Sequence, residues 1–196
     1  MKTVKGQAGR RHCLALAAAS WLAARRADAQ WPPIDLGIPN IPQQTPVWCW
    51  VAVAEQIIRW RNGGAGPSQA ELVAIANGFP PFACLQPPNP MVMQACLRTG
   101  HLVEIQRLIS AFGGGFSQLA PPAHPGILYD TLRRGAPIIL AVRSTPFSGH
   151  VVVLRGLVPA PDPLLIINDP MGWPGFGQPV PFSRIAGFWQ AAIVVG

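Results

Sequence analysis

Four residues of this chain have the types and the order needed for acyl transfer through a thiol. They are Gln43, Cys49, His150 and Asp169. The attacking species in such chemistry is a thiolate, and an ordinary cysteine titrates only at about 8.5. A helix N-terminus favours the anion, because its first N–H groups are unpaired and carry partial positive charge. A neighbouring imidazolium favours it more strongly. Cys49 lies in Val47-Trp48-Cys49-Trp50, at the start of an apolar helical stretch. It therefore has the first feature locally and needs a histidine for the second.

Of the four histidines, His12 falls in a basic leader, His101 follows Gly100 at a helix end, and His124 lies between prolines. These three read as leader, capping or surface, and solvated residues. His150 differs: Gly149 is expected to clear space beside it, and Val151-Val152-Val153-Leu154 place it on a buried strand. The imidazole needs an orienting acceptor on its other ring nitrogen. Asp169 closes the next apolar strand in Asn168-Asp169-Pro170 and is assigned that role over Asn168, the turn-forming reading being the alternative. A tetrahedral intermediate also needs an oxyanion donor. Gln43 or Gln44 can supply a side-chain amide beside the Cys49 N–H, and residue types alone do not choose between them.

The elements that must position these groups are legible in outline. Residues 30–45 are proline-rich and extended. Thr45 and Pro46 suit an N-cap and first helical position. Val47, Val51, Ala54 and Ile58 then recur on one helical face up to Gly63-Gly64. Ser68-Gln69-Ala70-Glu71 is a capping-box pattern before a second helix that stops at Asn77-Gly78. Asn89-Pro90 opens a third, and residues 127–134 form a fourth. The intervening segment, with Gly113-Gly114-Gly115 and Pro121-Pro122, reads as a flexible connection; it lacks the strand and lysine of a phosphate-binding loop. The second half carries apolar, β-branched runs at residues 137–142, 150–157, 164–167 and 191–195. Helices first and strands later indicate α+β, with a helical half over about residues 45–135 packed on an antiparallel sheet half over about 136–196. The site would form where the halves join.

The first 29 residues read as a secretory signal: Lys2, Lys5, Arg10 and Arg11, then an apolar run from Cys13 to Ala24, then Ala27-Asp28-Ala29. Arg10-Arg11 leaves general and twin-arginine export both open. The apolar run is too short for a stable membrane anchor. The formal charge of +7 falls to about +2 once the +5 of this segment is removed. With no basic patch interleaved with aromatics, no nucleic-acid partner is expected. The rest, residues 30–196, is one domain's length of apolar-rich chain. Its cysteines are Cys49, Cys84 and Cys96. In an oxidising compartment one disulfide and one free thiol is the economical solution, and bridging Cys84 to Cys96 would close a short loop worth roughly 3 kcal/mol. Cys49 is then the odd thiol. No HExxH or paired Cys-x-x-Cys occurs, so neither metal nor other cofactor is expected.

Taken together, residues 43–56, 149–156 and 168–170 resemble the papain-like cysteine peptidases. The likeness is to their small bacterial branch, which includes bacteriocin-leader-processing peptidases and secreted effector peptidases. The resemblance implies Cys49 as nucleophile, His150 as base, Asp169 as orienter and Gln43, six residues before the cysteine, in the oxyanion hole. With the leader read as an export signal, the expectation is a secreted or periplasmic enzyme, a monomer, acting on peptide or protein substrates. The cysteine context lacks the cathepsin signature, and His150 follows Cys49 by only 101 residues, which suits a compact version. The alternatives are a transglutaminase-like or amidase reaction at the same site, or a binding scaffold without turnover. Trp48, Trp50, Trp173 and Phe176 are expected mostly to pack the core or its edge rather than to line the cleft.

Overall fold

The computed structural model describes residues 31–143 and 149–196; the expected signal, residues 1–29, lies outside the described residues. The helices are α1 (Cys49–Arg61), α2 (Gln69–Ala76), α3 (Pro90–Cys96), α4 (Leu102–Ala111), α5 (Pro125–Arg133) and α6 (Phe182–Ala186), with a 3-10 turn at Pro81–Cys84. The strands are β1 (Ile34–Asp35), β2 (Ser117–Ala120), β3 (Ile138–Arg143), β4 (Gly149–Val158), β5 (Leu164–Asn168), β6 (Val180–Pro181) and β7 (Trp189–Val195). The class is α+β, helical in its N-terminal half and sheet-rich in its C-terminal half.

Among the described residues the strands form one sheet, ordered β2-β7-β3-β4-β5-β6, every pairing antiparallel. β1 pairs Gly156 and Leu157 of β4 beyond the point where β3 leaves it at Leu154. Alternation along the strands gives the sheet two apolar faces. Ile139, Val151, Val153 and Ile193 pack with α1, α2 and α4. Ile138, Leu140, Val152 and Leu154 pack with Leu128 and Leu132 of α5 and Ile185 of α6.

α1 differs from the amphipathic reading. Every residue from Trp50 to Ile58 is buried, including Glu55 and Gln56. A helix hydrophobic on one face by sequence is here enclosed on all sides, because α2, α4 and β4 surround it. Its start is also later than Thr45-Pro46 suggested. Those residues form a turn closed by the Trp48 N–H on the Thr45 carbonyl (3.2 Å), and Cys49 is the first helical residue. The end is as read: Gly63 and Gly64 take φ of 63° and 97°, and the Gly64 N–H caps the Arg59 carbonyl at 2.7 Å.

The supposed connection around Gly113 to Gly115 is more ordered than its composition implied. It is flanked by α4 and by β2, which pairs with β7 at the sheet edge. The signal for α4 was present: Glu104 accepts from the His101 N–H at 2.8 Å, so His101 opens this helix rather than ending the one before.

Candidate active site

The site is assembled by α1 and by the ends of β4 and β5. The Ala52 N–H is the first to bond back along α1, to the Trp48 carbonyl at 3.0 Å. The N–H of Cys49 therefore lies ahead of the helical ladder, at the positive end of the helix. Both flanking indoles are anchored. Trp48 Nε1–H donates to the Cys96 carbonyl at 2.8 Å, and Trp50 Nε1–H donates to the Arg98 carbonyl at 3.3 Å. Gly100 packs against the Trp50 ring so closely that a Cβ there would clash with the indole. Cys84 and Cys96 are bridged, and Cys49 is the free cysteine among the described residues, partly exposed.

His150 is buried, and its Nε2 lies 2.6 Å from Asp169 Oδ1. Asp169 is also buried. It accepts from the backbone N–H of Met171 at 2.9 Å and of Trp173 at 2.7 Å, so its charge is held by three donors. Burial pushes the Asp169 carboxyl up, but the His150 hydrogen bond, the two N–H groups and the imidazolium charge outweigh it and leave it below the ordinary range. Burial likewise disfavours the charged His150 ring. Its hydrogen bond to Asp169 and its interaction with Cys49 reverse that, and the pKa rises from 6.5 to about 9. Nδ1 of His150 has no hydrogen bond of good geometry. It is the nitrogen not used by Asp169, and Cys49 is near enough to raise the ring's pKa.

Asn168 does not compete for this place. Successive strand residues point to opposite faces. Asn168 turns to α1, where its amide donates to the Ile38 carbonyl (2.8 Å) and to Gln56 Oε1 (3.2 Å). Gly149 opens β4 immediately before His150. Among the described residues a Cβ there would meet just the Val142 carbonyl, at 3.8 Å.

Gln43 is half-buried, and its N–H donates to the Pro170 carbonyl at 2.9 Å, tying it to the turn after Asp169. Its Nε2 donates to the Thr45 carbonyl at 2.7 Å. A carbonyl can only accept, which fixes the amide's orientation and leaves Nε2 one further hydrogen. Gln44 is exposed, and its backbone N–H is taken by Gln69 Oε1 at 2.8 Å.

Two further contributions come from contacts made only in the folded chain. Trp173 covers His150, ring centroids 4.6 Å apart, and Phe176 lies against Trp173 at 5.9 Å. Trp48 and Trp50 are core residues as expected. The second contribution is an amide network that runs from buried Gln56 out to exposed Asn40: Gln56 Nε2–H donates to Asn40 Oδ1 and to the Ile41 carbonyl, both at 3.2 Å, and Asn40 Nδ2–H donates to the Asp169 carbonyl at 3.1 Å. It joins α1 to the Asp169 turn. The local signal is a Glu55-Gln56 pair set between the apolar runs Val51–Ala54 and Ile57-Ile58.

The fold is shared with solved peptidases. A C39-like peptidase from Bacillus anthracis superposes with a TM-score of 0.54 at 14% identity, covering 85% of this chain and 98% of that one. The digestive procathepsin L2 proteinase from Tenebrio molitor larval midgut gives 0.55 at 12% identity, covering 86% and 69% respectively. No curated protein matches the sequence. A family model, that of the papain-like cysteine protease AvrRpt2, matches residues 34–176, a span running from β1 through the Asp169 turn. The chain thus belongs to that papain-like family and is a cysteine peptidase.

Proposed function

We propose that Cys49, His150 and Asp169 are the catalytic triad of this peptidase, with Gln43 and the Cys49 N–H as oxyanion donors. The observation that carries the reading is the buried His150–Asp169 pair set beside a free cysteine at a helix N-terminus. His150, protonated at neutral pH, stabilises the thiolate. Cys49 Sγ attacks the scissile carbonyl, whose oxygen takes the developing charge against Gln43 Nε2–H and the Cys49 N–H. On collapse the imidazolium gives its proton to the leaving amine, and a thioester remains. His150 then takes a proton from water, hydroxide adds to the thioester, and the acid product leaves with the thiolate restored. Asp169 holds the ring throughout, and Trp173 shelters the pair from water.

The enzyme is proposed to act on peptide or protein substrates outside the cytoplasm. The Cys84–Cys96 disulfide supports an oxidising compartment. Among the described residues no helix is long and apolar enough to cross a membrane.

The test is alkylation of the unreduced protein with iodoacetamide across pH, with the adduct located by mass spectrometry. Cys49 should react quickly at pH 6 and at least about tenfold more slowly in His150→Ala, and Cys49→Ser should hydrolyse no peptide. Reaction only above pH 8, indifferent to His150, would mean an ordinary thiol and no triad.

A further inference from the structure

Gln69, the first residue of α2, has no solvent exposure, yet every polar atom of its amide is paired within the protein. Its Oε1 accepts from the Gln44 N–H at 2.8 Å. Its Nε2 donates to the Pro42 carbonyl at 2.9 Å and to Glu55 Oε2 at 3.0 Å. The two backbone partners stand on either side of Gln43. Glu55 is itself buried in α1, and its other oxygen is held by Arg59 at 2.8 Å. Both hydrogens of the Gln69 amide are used, and its orientation is fixed by the carbonyl on one side and the N–H on the other.

Residues 42–44 belong to no helix or strand, so no backbone ladder holds them. Gln69 pairs with them as a neighbouring peptide group would. The Gln43 N–H on the Pro170 carbonyl fixes the same loop from the Asp169 side. The loop is thereby clamped between α2 and the turn that carries the acid. Cys49 and Glu55 share α1, so the anchor of the clamp moves with the nucleophile. We propose that Gln69, oriented by Glu55, is a positioning residue that sets the Gln43 amide toward the oxyanion. This rests on the reading of Gln43 as the side-chain oxyanion donor.

Two probes of Cys49 separate this role from a general structural one. Acylation by p-nitrophenyl acetate, read as nitrophenolate release, passes through a tetrahedral oxyanion. Alkylation by iodoacetamide does not. In Gln43→Ala, acylation should slow on the order of 100-fold. In Gln69→Met it should slow about tenfold. Alkylation rates and their pH profile should stay within about twofold in both, since no oxyanion forms. In the double variant the Gln69 change should add nothing to the loss caused by Gln43→Ala. If Gln69→Met does not fold, Gln69→Asn, which keeps an amide one methylene short of the loop, reads the same way. An acylation rate in the Gln69 variant equal to wild type, an equal slowing of alkylation, or an additive double variant would overturn the proposal. Undiminished acylation in Gln43→Ala would instead remove the oxyanion role of Gln43, and the role of Gln69 with it.

Discussion

At the scale of single residues the site is governed by one buried pair. The Asp169 carboxylate has three donors and needs no water. Its partner ring stays protonated up to a pKa of about 9 despite being buried. Asp169→Asn keeps the shape and much of the hydrogen bonding but removes the charge. On the proposed mechanism the alkaline limb of kcat/KM marks the loss of the His150 proton, and it should then move from near pH 9 toward the ordinary 6.5. The limb belongs to the coupled Cys49–His150 pair, so the direction is what the pH–rate profile tests. An unmoved limb would show that Asp169 does not set the charge on the ring. Asp169 was readable from its place before Pro170, and Asn168 stood as its rival. Strand alternation separated the two, and alternation acts only once the register of β5 on β4 is fixed.

At the scale of elements, α1 presents the thiol, and the segment after α3 holds α1's first turn. The Cys96 and Arg98 carbonyls receive the indoles on both sides of Cys49, and the Cys84–Cys96 disulfide fixes the first of them. Arg98 lies over the Trp50 ring at 4.9 Å and pairs with Glu104 at 2.6 Å, which ties the same segment to α4. Replacing both Cys84 and Cys96 by alanine should cost about 3 kcal/mol in denaturant unfolding. Cys49 alkylation in the folded variant should lose selectivity for pH 6, because the first turn is less firmly held. Stability equal to wild type would place the bridge outside the folding unit. The pairing followed from counting cysteines and from their proximity. Its contact with the tryptophans did not, since indole partners far along the chain leave no local pattern.

At the scale of the whole molecule, the helical half and the sheet meet along α1 and β4, and the ionisable pair sits at that junction. Its protonation therefore bears on folding. His150 has a folded pKa raised to about 9 above an ordinary 6.5, so its contribution is complete below pH 6.5 and is lost as pH rises through about 9. Asp169, lowered in the fold, contributes above the ordinary carboxylate range and loses that contribution as pH falls. The melting temperature should accordingly decline between pH 6.5 and pH 9, and the decline should flatten in His150→Ala. An identical slope in the variant would mean that other groups control alkaline stability. By itself the sequence determined the chemistry available: a thiol at a helix start, a histidine opening an apolar strand, an acid before proline, and the order of helices then strands. Periodicity and residue type are local properties, and these features are local. The tertiary structure decided that α1 is enclosed on every side, that α4 and β2 exist where glycines suggested a loop, and that Trp173 covers His150. It also decided that Gln56, Gln69 and Asn168 hold the parts in place. Each of these depends on groups far apart along the chain meeting in the dry interior, where an unpaired amide is costly and a paired one fixes geometry.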